Sequence, residues 1–357
     1  MDVELTDVQR ELRDAVRAFA TDRLAPRAAE IDATAGVPAE VLGALGDLGV
    51  LGCLLPEAEG GGVDRVAAAL AVEELAAASA AVAARVAAHL VATTALGRAR
   101  GGGTDAARLA RGEDLACAPL GPAAMLRTTP RADGVAVEGR IAGLVGAADA
   151  AAAVVLMAFG DAPSAVVVAR GTPGVSVVPA LETSGLRGAA TADLVLRRVP
   201  LGGAPRVPAG DVVGLGRVLL AAVAVGVARA AAAAALRYAR ERRAFGRALV
   251  DFQGTQWKLA DMATAVEAAR LLTLRAASQA DRGLPYTREA ATAKLHAAQT
   301  AMTVATQAVQ IHGGYGYTRE FPVERQFRDA ATLLVVAGTP AAERRTIGAT
   351  VLAEAGR

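Results

Sequence analysis

The sequence predicts an α+β fold in which an N-terminal helical region, a middle antiparallel β region and a C-terminal helical bundle follow one another. Three observations predict it. Alanine dominates both ends of the chain, and alanine costs least in a helix. Between about Leu115 and Val212, Pro and Gly become frequent and the apolar runs shorten to strand length. Beyond Arg217, long segments of helical periodicity return. A length of 357 residues suits about two to three domains, and the composition shifts place them at 1–112, 113–212 and 213–357.

Each element has its own signal. Thr6-Asp7-Val8-Gln9 is a capping-box pattern opening a helix whose apolar positions are Leu12, Val16, Phe19 and Ala20. Pro38 sits at the first turn of a second helix, and Gly49 ends it. Pro56 and Glu59-Gly60-Gly61-Gly62 form a loop, after which Asp64 caps a long Ala-rich helix to about Thr94. Strands are expected at Val135–Val137, Ala152–Leu156, Ala165–Val168, Val175–Val178 and Leu194–Leu196. Turns at Asp133-Gly134, Gly160-Asp161 and Thr172-Pro173-Gly174 separate them. Helices then span Val218–Arg240, Asp251–Arg282 and Thr287–Ile311, with shorter ones after Glu320 and Thr339. Gly283, Pro285 and Gly313-Gly314-Tyr315-Gly316 break them.

Composition excludes several function classes. Lys and Arg number 38 against 36 Asp and Glu, a net charge of +2 without a basic run, so no nucleic-acid surface is expected. Cys53 and Cys117 make no disulfide framework or zinc site and read as buried small hydrophobes. His89, His296 and His312 are scattered and read as structural, so no metal centre is expected. Met1–Asp14 lacks an apolar signal core, and the apolar run Val218–Ala228 is too short to span a bilayer. The expectation is a soluble, cytoplasmic protein. No G-x-G-x-x-G, Gly-Lys-Ser/Thr or Gly-x-Ser-x-Gly motif is present. On these grounds alone the function stays open.

The C-terminal half carries Tyr238-Ala-Arg-Glu-Arg242-Arg-Ala-Phe245-Gly246, Leu249-Val-Asp-Phe252-Gln253 and Lys258-Leu-Ala-Asp261-Met262. It also carries Ala308-Val-Gln310-Ile-His-Gly313-Gly314-Tyr-Gly-Tyr317, Pro322-Val-Glu-Arg325 and Arg328-Asp329-Ala330. The N-terminal half adds Leu5-Thr6-Asp7-Val-Gln9 and Leu48-Gly-Val-Leu-Gly52-Cys-Leu-Leu-Pro56. In these motifs the chain resembles the acyl-CoA dehydrogenase family along its whole length. The resemblance implies oxidation of an acyl-CoA thioester to its 2-enoyl product. A glutamate base removes the α proton, and FAD, shared across a dimer interface in a dimer of dimers, takes the β hydride.

Carried over residue by residue, the resemblance has two sides. On the adenine and pyrophosphate side, Arg242, Phe245, Gln253, Gln310, Gly313 and Gly314 match family positions that hold the neighbouring subunit's FAD. Thr339 matches the threonine two residues after the base and is expected to bind FAD, and Arg217 matches an arginine that contacts coenzyme A. On the ring side the family pattern is lost. Ala116-Cys117-Ala118-Pro119-Leu120-Gly121-Pro122 stands for Leu-Thr-Glu-Pro-Gly-x-Gly-Ser-Asp, and Gly143-Leu144-Val145 for Trp-Ile-Thr/Ser. Ala337 occupies the usual glutamate position and Gly216 the alternative one, so no catalytic residue is assigned. Asp211 and Glu343 are the acids nearest in sequence to those positions.

Two readings remain open at this point. The chain is the base-less subunit of a hetero-oligomer, completing the FAD site of a homologous acyl-CoA dehydrogenase partner and inactive alone. Alternatively, it is a self-sufficient FAD homo-oligomer with a relocated base or altered chemistry on an acyl-CoA or acyl-carrier-protein thioester. A flavin-free thioester-binding module is a third, non-enzymatic possibility.

Overall fold

A computed structural model describes residues 4–99, 106–122, 125–132, 134–159, 162–180, 182–202 and 204–356. The N-terminal region holds α1 (Asp7–Phe19), α2 (Ala28–Thr34), α3 (Ala39–Asp47), α4 (Arg65–Ala78), α5 (Ala80–Ala99) and α6 (Ala106–Ala110). The capping box is formed: Gln9 N–H donates to Thr6 Oγ1 at 3.3 Å, and Thr6 N–H donates to Gln9 Oε1 at 3.0 Å. Asp64 caps α4 through Oδ1, and its Oδ2 accepts from Gln9 Nε2 at 2.8 Å, joining the starts of α1 and α4. The single long helix expected from Asp64 is broken at Ser79, whose extended backbone (φ −149°, ψ 108°) separates α4 from α5. Nothing in an unbroken alanine periodicity marks that bend.

The middle region holds β1 (Ala116–Cys117), β2 (Arg127–Arg131), β3 (Gly134–Leu144), β4 (Ala152–Phe159), β5 (Ala162–Ala169), β6 (Val175–Pro179), β7 (Ala192–Pro200) and β8 (Val207–Pro208). They form two sheets, ordered β1-β4-β5-β8 and β2-β3-β7-β6. Strand pairings are antiparallel except β1 with β4, which run parallel. All five expected strand runs lie inside observed strands; the expected turn residues Asp133, Gly160 and Asp161 lie outside the described residues.

The C-terminal region holds α7 (Ala209–Glu241), a hairpin of β9 (Arg243–Ala244) and β10 (Arg247–Ala248), α8 (Gln253–Asp281), α9 (Thr287–His312), α10 (Val323–Val335) and α11 (Pro340–Ala355). Helix α7 starts nine residues before the expected Val218. Gly210, Gly214 and Gly216 weaken its first turns as a sequence signal. Packing overrides that weakness: Gly214 lies against the Tyr286 ring and Gly216 against the Leu120 backbone. Helix α7 is the core of the protein, packed on α9, α4, α8 and α5. A Cβ on Gly226 would come within 2.4 Å of the Glu73 carbonyl, so only glycine permits this close crossing of α4 and α7. Both α5 and α7 are long and apolar enough to cross a membrane, a length the short run Val218–Ala228 did not suggest. Most of each is nevertheless buried inside the protein, as core helices are.

Buried charges join the regions. Glu73 pairs with Arg229 (3.2 Å) and Arg270 (3.0 Å), and Glu74 with Arg17 (2.8 Å) and Arg229 (2.6 Å), which ties α1, α4, α7 and α8 together. Arg328 grips Asp32 (2.7 Å) and Glu324 (2.8 Å), and Asp329 accepts the Leu186 N–H at 2.6 Å. The Arg328-Asp329-Ala330 motif therefore docks α10 against α2 and the loop before β7. His89 is likewise architectural: Ala116 N–H donates to its Nδ1 at 3.1 Å and its Nε2 lies 3.2 Å from the Leu109 carbonyl. Burial drives its pKa down to about 4, so it stays neutral. Burial pushes the Cys53 and Cys117 thiols up to about 12, away from any reactive thiolate.

Candidate functional site

Two concave regions gather the residues singled out by the sequence. The first is a cradle of about 480 Å³ where the end of α7 meets the end of α9. Its walls include Arg242, Gly313 and Gly314 from the expected set, joined by Tyr238, His312 and Tyr315. Arg242 ends α7, and its guanidinium lies 5.7 Å from the Tyr315 ring centroid, within cation–π range. Among the described residues no carboxylate pairs with Arg242 or with its neighbours Arg237, Arg240, Arg243 and Arg247. The cradle is therefore flanked by uncompensated positive charge suited to an anion such as a diphosphate.

The cradle floor is aromatic. His312 stacks on Tyr238 at 4.2 Å between centroids, and Phe321 meets both rings edge-on. The ring Nδ1 of His312 lies 2.8 Å from the Ala308 carbonyl, and burial lowers the imidazole pKa so that it remains neutral in the stack. Neither Tyr238 nor His312 was singled out by the sequence; their only signal was adjacency to the arginine and glycine motifs. Gly313 has φ +59°, a left-handed backbone that favours glycine. A Cβ on Gly314 would meet nothing within 4 Å of this chain, so internal packing does not require its glycine.

Phe245, Gln253 and Gln310 lie on neighbouring surfaces and do not line the cradle. Phe245 occupies the two-residue turn of the β9–β10 hairpin with Gly246; φ is +50° and +80°, a turn whose twist matches the flanking strands. Holding a phenylalanine there costs about 1–3 kcal/mol of backbone strain. Its ring is 97% exposed, so no contact inside this chain offsets that cost. Trp257, Tyr315 and Tyr317 are further exposed aromatics on the same part of the chain.

The second region is a cleft of about 320 Å³ between the β region and the loop joining α10 to α11. Ala118-Pro119-Leu120-Gly121-Pro122, Gly143-Leu144-Val145 and Val336-Ala337-Gly338 all line it. The two substituted ring-side segments and the missing-base segment thus meet around one space. Lining side chains include no hydroxyl and no carboxylate, and Arg140 is the one charged group among them. A Cβ on Gly121 would stand 1.9 Å from the Ala337 carbonyl oxygen, and one on Gly216 would stand 2.7 Å from the Leu120 backbone. The Leu120-Gly121 segment is therefore pressed against both positions where a base was sought.

The nearest acids are occupied. Asp193 accepts the Gly143 N–H at 2.7 Å and the Arg140 guanidinium; the Gly143 hydrogen bond first, then Arg140, holds its pKa below the ordinary carboxylate range. Asp211 pairs with Arg98 away from the cleft. Glu343 lies behind Gly338 with no exposed surface, 2.8 Å from Arg217 Nε.

Arg217, for which the resemblance implies a contact with coenzyme A, is 4% exposed here, paired with Glu343 and donating to Thr346 Oγ1 at 3.0 Å. Lys294, 2% exposed, completes this cluster and donates to the Gly338 carbonyl. Thr339 lies at the far side of the same loop, not at the cradle. It is the N-cap of α11, its Oγ1 accepting from Ala342 N–H at 3.3 Å.

Comparisons with known proteins place the chain's fold and family. The profile described as acyl-CoA dehydrogenase, N-terminal domain, matches residues 6–107, and that of the C-terminal domain matches residues 209–352. A probable acyl-CoA dehydrogenase of Bacillus subtilis (strain 168) is 34% identical over 99% of this chain and 100% of its own length. The mitochondrial short-chain specific acyl-CoA dehydrogenase of Bos taurus is 36% identical over 98% of this chain and 91% of its own length. Among solved structures, butyryl-CoA dehydrogenase from Megasphaera elsdenii superposes with a TM-score of 0.88 at 31% identity, covering 99% of this chain and 100% of that one.

Proposed function

The chain belongs to the acyl-CoA dehydrogenase family of FAD-dependent oxidoreductases, and from that premise we propose that it is the base-less subunit of a hetero-oligomeric acyl-CoA dehydrogenase. The single observation that carries this reading is the contrast between cradle and cleft. The cradle, with unpaired Arg242 and open glycines at 313 and 314, suits the adenine and pyrophosphate half of a dinucleotide. The cleft does not suit the flavin ring, because no hydroxyl or carboxylate side chain lines it and Leu120-Gly121 stands on both base positions.

In the assembly, FAD supplies hydride-accepting chemistry at the partner's complete site. This chain's part is to bind and orient. Arg242 places a fixed fork of donors on phosphate, Tyr315 and Tyr238 wall the base-stacking space, and Phe245 reaches outward from its strained turn to pack on the partner. The chain moves no proton: removing one from a thioester α carbon needs a positioned base worth about 10²–10⁴-fold, and none faces the cleft.

The test is turnover. The purified chain, mixed with excess FAD, butyryl-CoA and an electron-accepting dye, is expected to reduce no dye. Co-purified with a complete homologous subunit from its own source, it yields an active complex whose activity is lost when the partner's base is removed. Dye reduction by the chain alone would overturn the proposal.

A further inference from the structure

Resting on the reading that no flavin ring is held in the cleft beside Ala337, we infer that this cleft is a binding site for a short-chain carboxylate. Among the described residues, the N–H groups of Ala337 and Gly338 have no hydrogen-bond partner and neither does Nη1 of Arg140, whose Nε and Nη2 go to Asp193. All three residues line the cleft, and no acidic side chain lines it. A head group that only accepts hydrogen bonds matches them, and a carboxylate offers two such oxygens.

Charge points the same way. Directly behind Gly338 lie Arg217 and Lys294 against the single carboxylate of Glu343, all three at most 4% exposed. Two buried cations facing one anion leave a surplus positive charge next to the cleft wall, where the interior screens it far less than water does. Lys294 also donates to the Gly338 carbonyl, which fixes the loop bearing the two free N–H groups. The remaining walls, Leu120, Ile141, Leu144, Val145 and Val336, are apolar and suit a short alkyl chain.

The experiment is calorimetric titration of the flavin-free chain with butyrate, hexanoate and octanoate, each beside its primary amide. The amide keeps the chain length but replaces an anionic acceptor with a neutral group that donates. At least a tenfold preference for carboxylate is expected, and Arg140→Gln, at an exposed side chain, is expected to weaken binding about tenfold. Lys294→Met removes the surplus charge and is expected to weaken it further. If that variant fails to fold, Arg140→Gln still decides. Equal affinity for amide and carboxylate, no binding of either, or an unaltered Arg140→Gln would overturn the inference while leaving the subunit role standing. Flavin retained by the isolated chain would instead overturn the subunit role.

Discussion

At the cradle, a methyl group added to Gly313 or Gly314 would meet no atom of this chain within 4 Å, whereas at the cleft one added to Gly121 would stand 1.9 Å from the Ala337 carbonyl. Both regions are glycine-bearing and concave, yet the same residue type answers different demands. Cradle glycines leave room for something outside the polypeptide. At the cleft, Gly121 and Gly338 stand instead against atoms of the polypeptide itself. The charges repeat the pattern: among the described residues Arg242 has no acidic partner, while Arg217 is enclosed with Glu343 and Lys294. A half-site kept for another molecule can thus be told from one whose base positions the chain itself covers by asking whose atoms Gly314, Gly121, Arg242 and Arg217 face.

The strongest way to break the comparison is to rebuild the alternative base. Gly216→Glu must push a side chain into the Leu120 backbone, and it is expected to destabilise the chain by about 3 kcal/mol or more in urea denaturation. Wild-type stability would show that the segment yields freely and that Leu120 does not bar the alternative base position.

Next in size is the titration of Lys294. Lysine occurs only at 258 and 294, and burial lowers the Lys294 pKa to about 8 from an ordinary value near 10.5. The unfolded chain therefore binds more protons than the folded one between those values, so stability rises with pH across that window by up to about 3 kcal/mol. Urea midpoints measured from pH 8 to 10 are expected to climb, and Lys294→Met to flatten the climb.

On the cradle side, Arg242→Ala is expected to leave the isolated chain's stability within about 0.5 kcal/mol of wild type. In the complex it is expected to weaken FAD retention by about 10–100-fold, the loss of a charge-assisted contact. Fluorescence of released flavin on dilution measures it. The smallest effect is expected at Phe245→Gly. Relief of the left-handed backbone stabilises the lone chain by up to about 1 kcal/mol while association with the partner weakens. Tighter association would show that the ring is not an interface contact.

Much of the architecture was legible because alanine, glycine and proline punctuate it locally: the capping box at Thr6, the strand runs from Val135 to Leu196 and the breaks at Gly283 and Gly313 all stand where their chemistry places them. The bend at Ser79 was not, since an extended residue inside alanine repeats leaves no periodic trace. Cradle residues were legible as a motif, but the stacking of His312 on Tyr238 depends on two helices meeting. The Arg217–Glu343–Lys294 cluster was illegible for the same reason, being assembled from α7, α11 and α9. The burial of Arg217 was not legible either, because matching a position says nothing about which way its guanidinium faces.

The most direct measurement is the flavin-to-polypeptide ratio, from absorbance at the flavin band and amino-acid analysis, for this chain alone and co-purified with a complete homologous subunit. A colourless chain by itself and one FAD per pair in the complex are expected. One FAD per chain in the isolated protein, or two per pair in the complex, would contradict it.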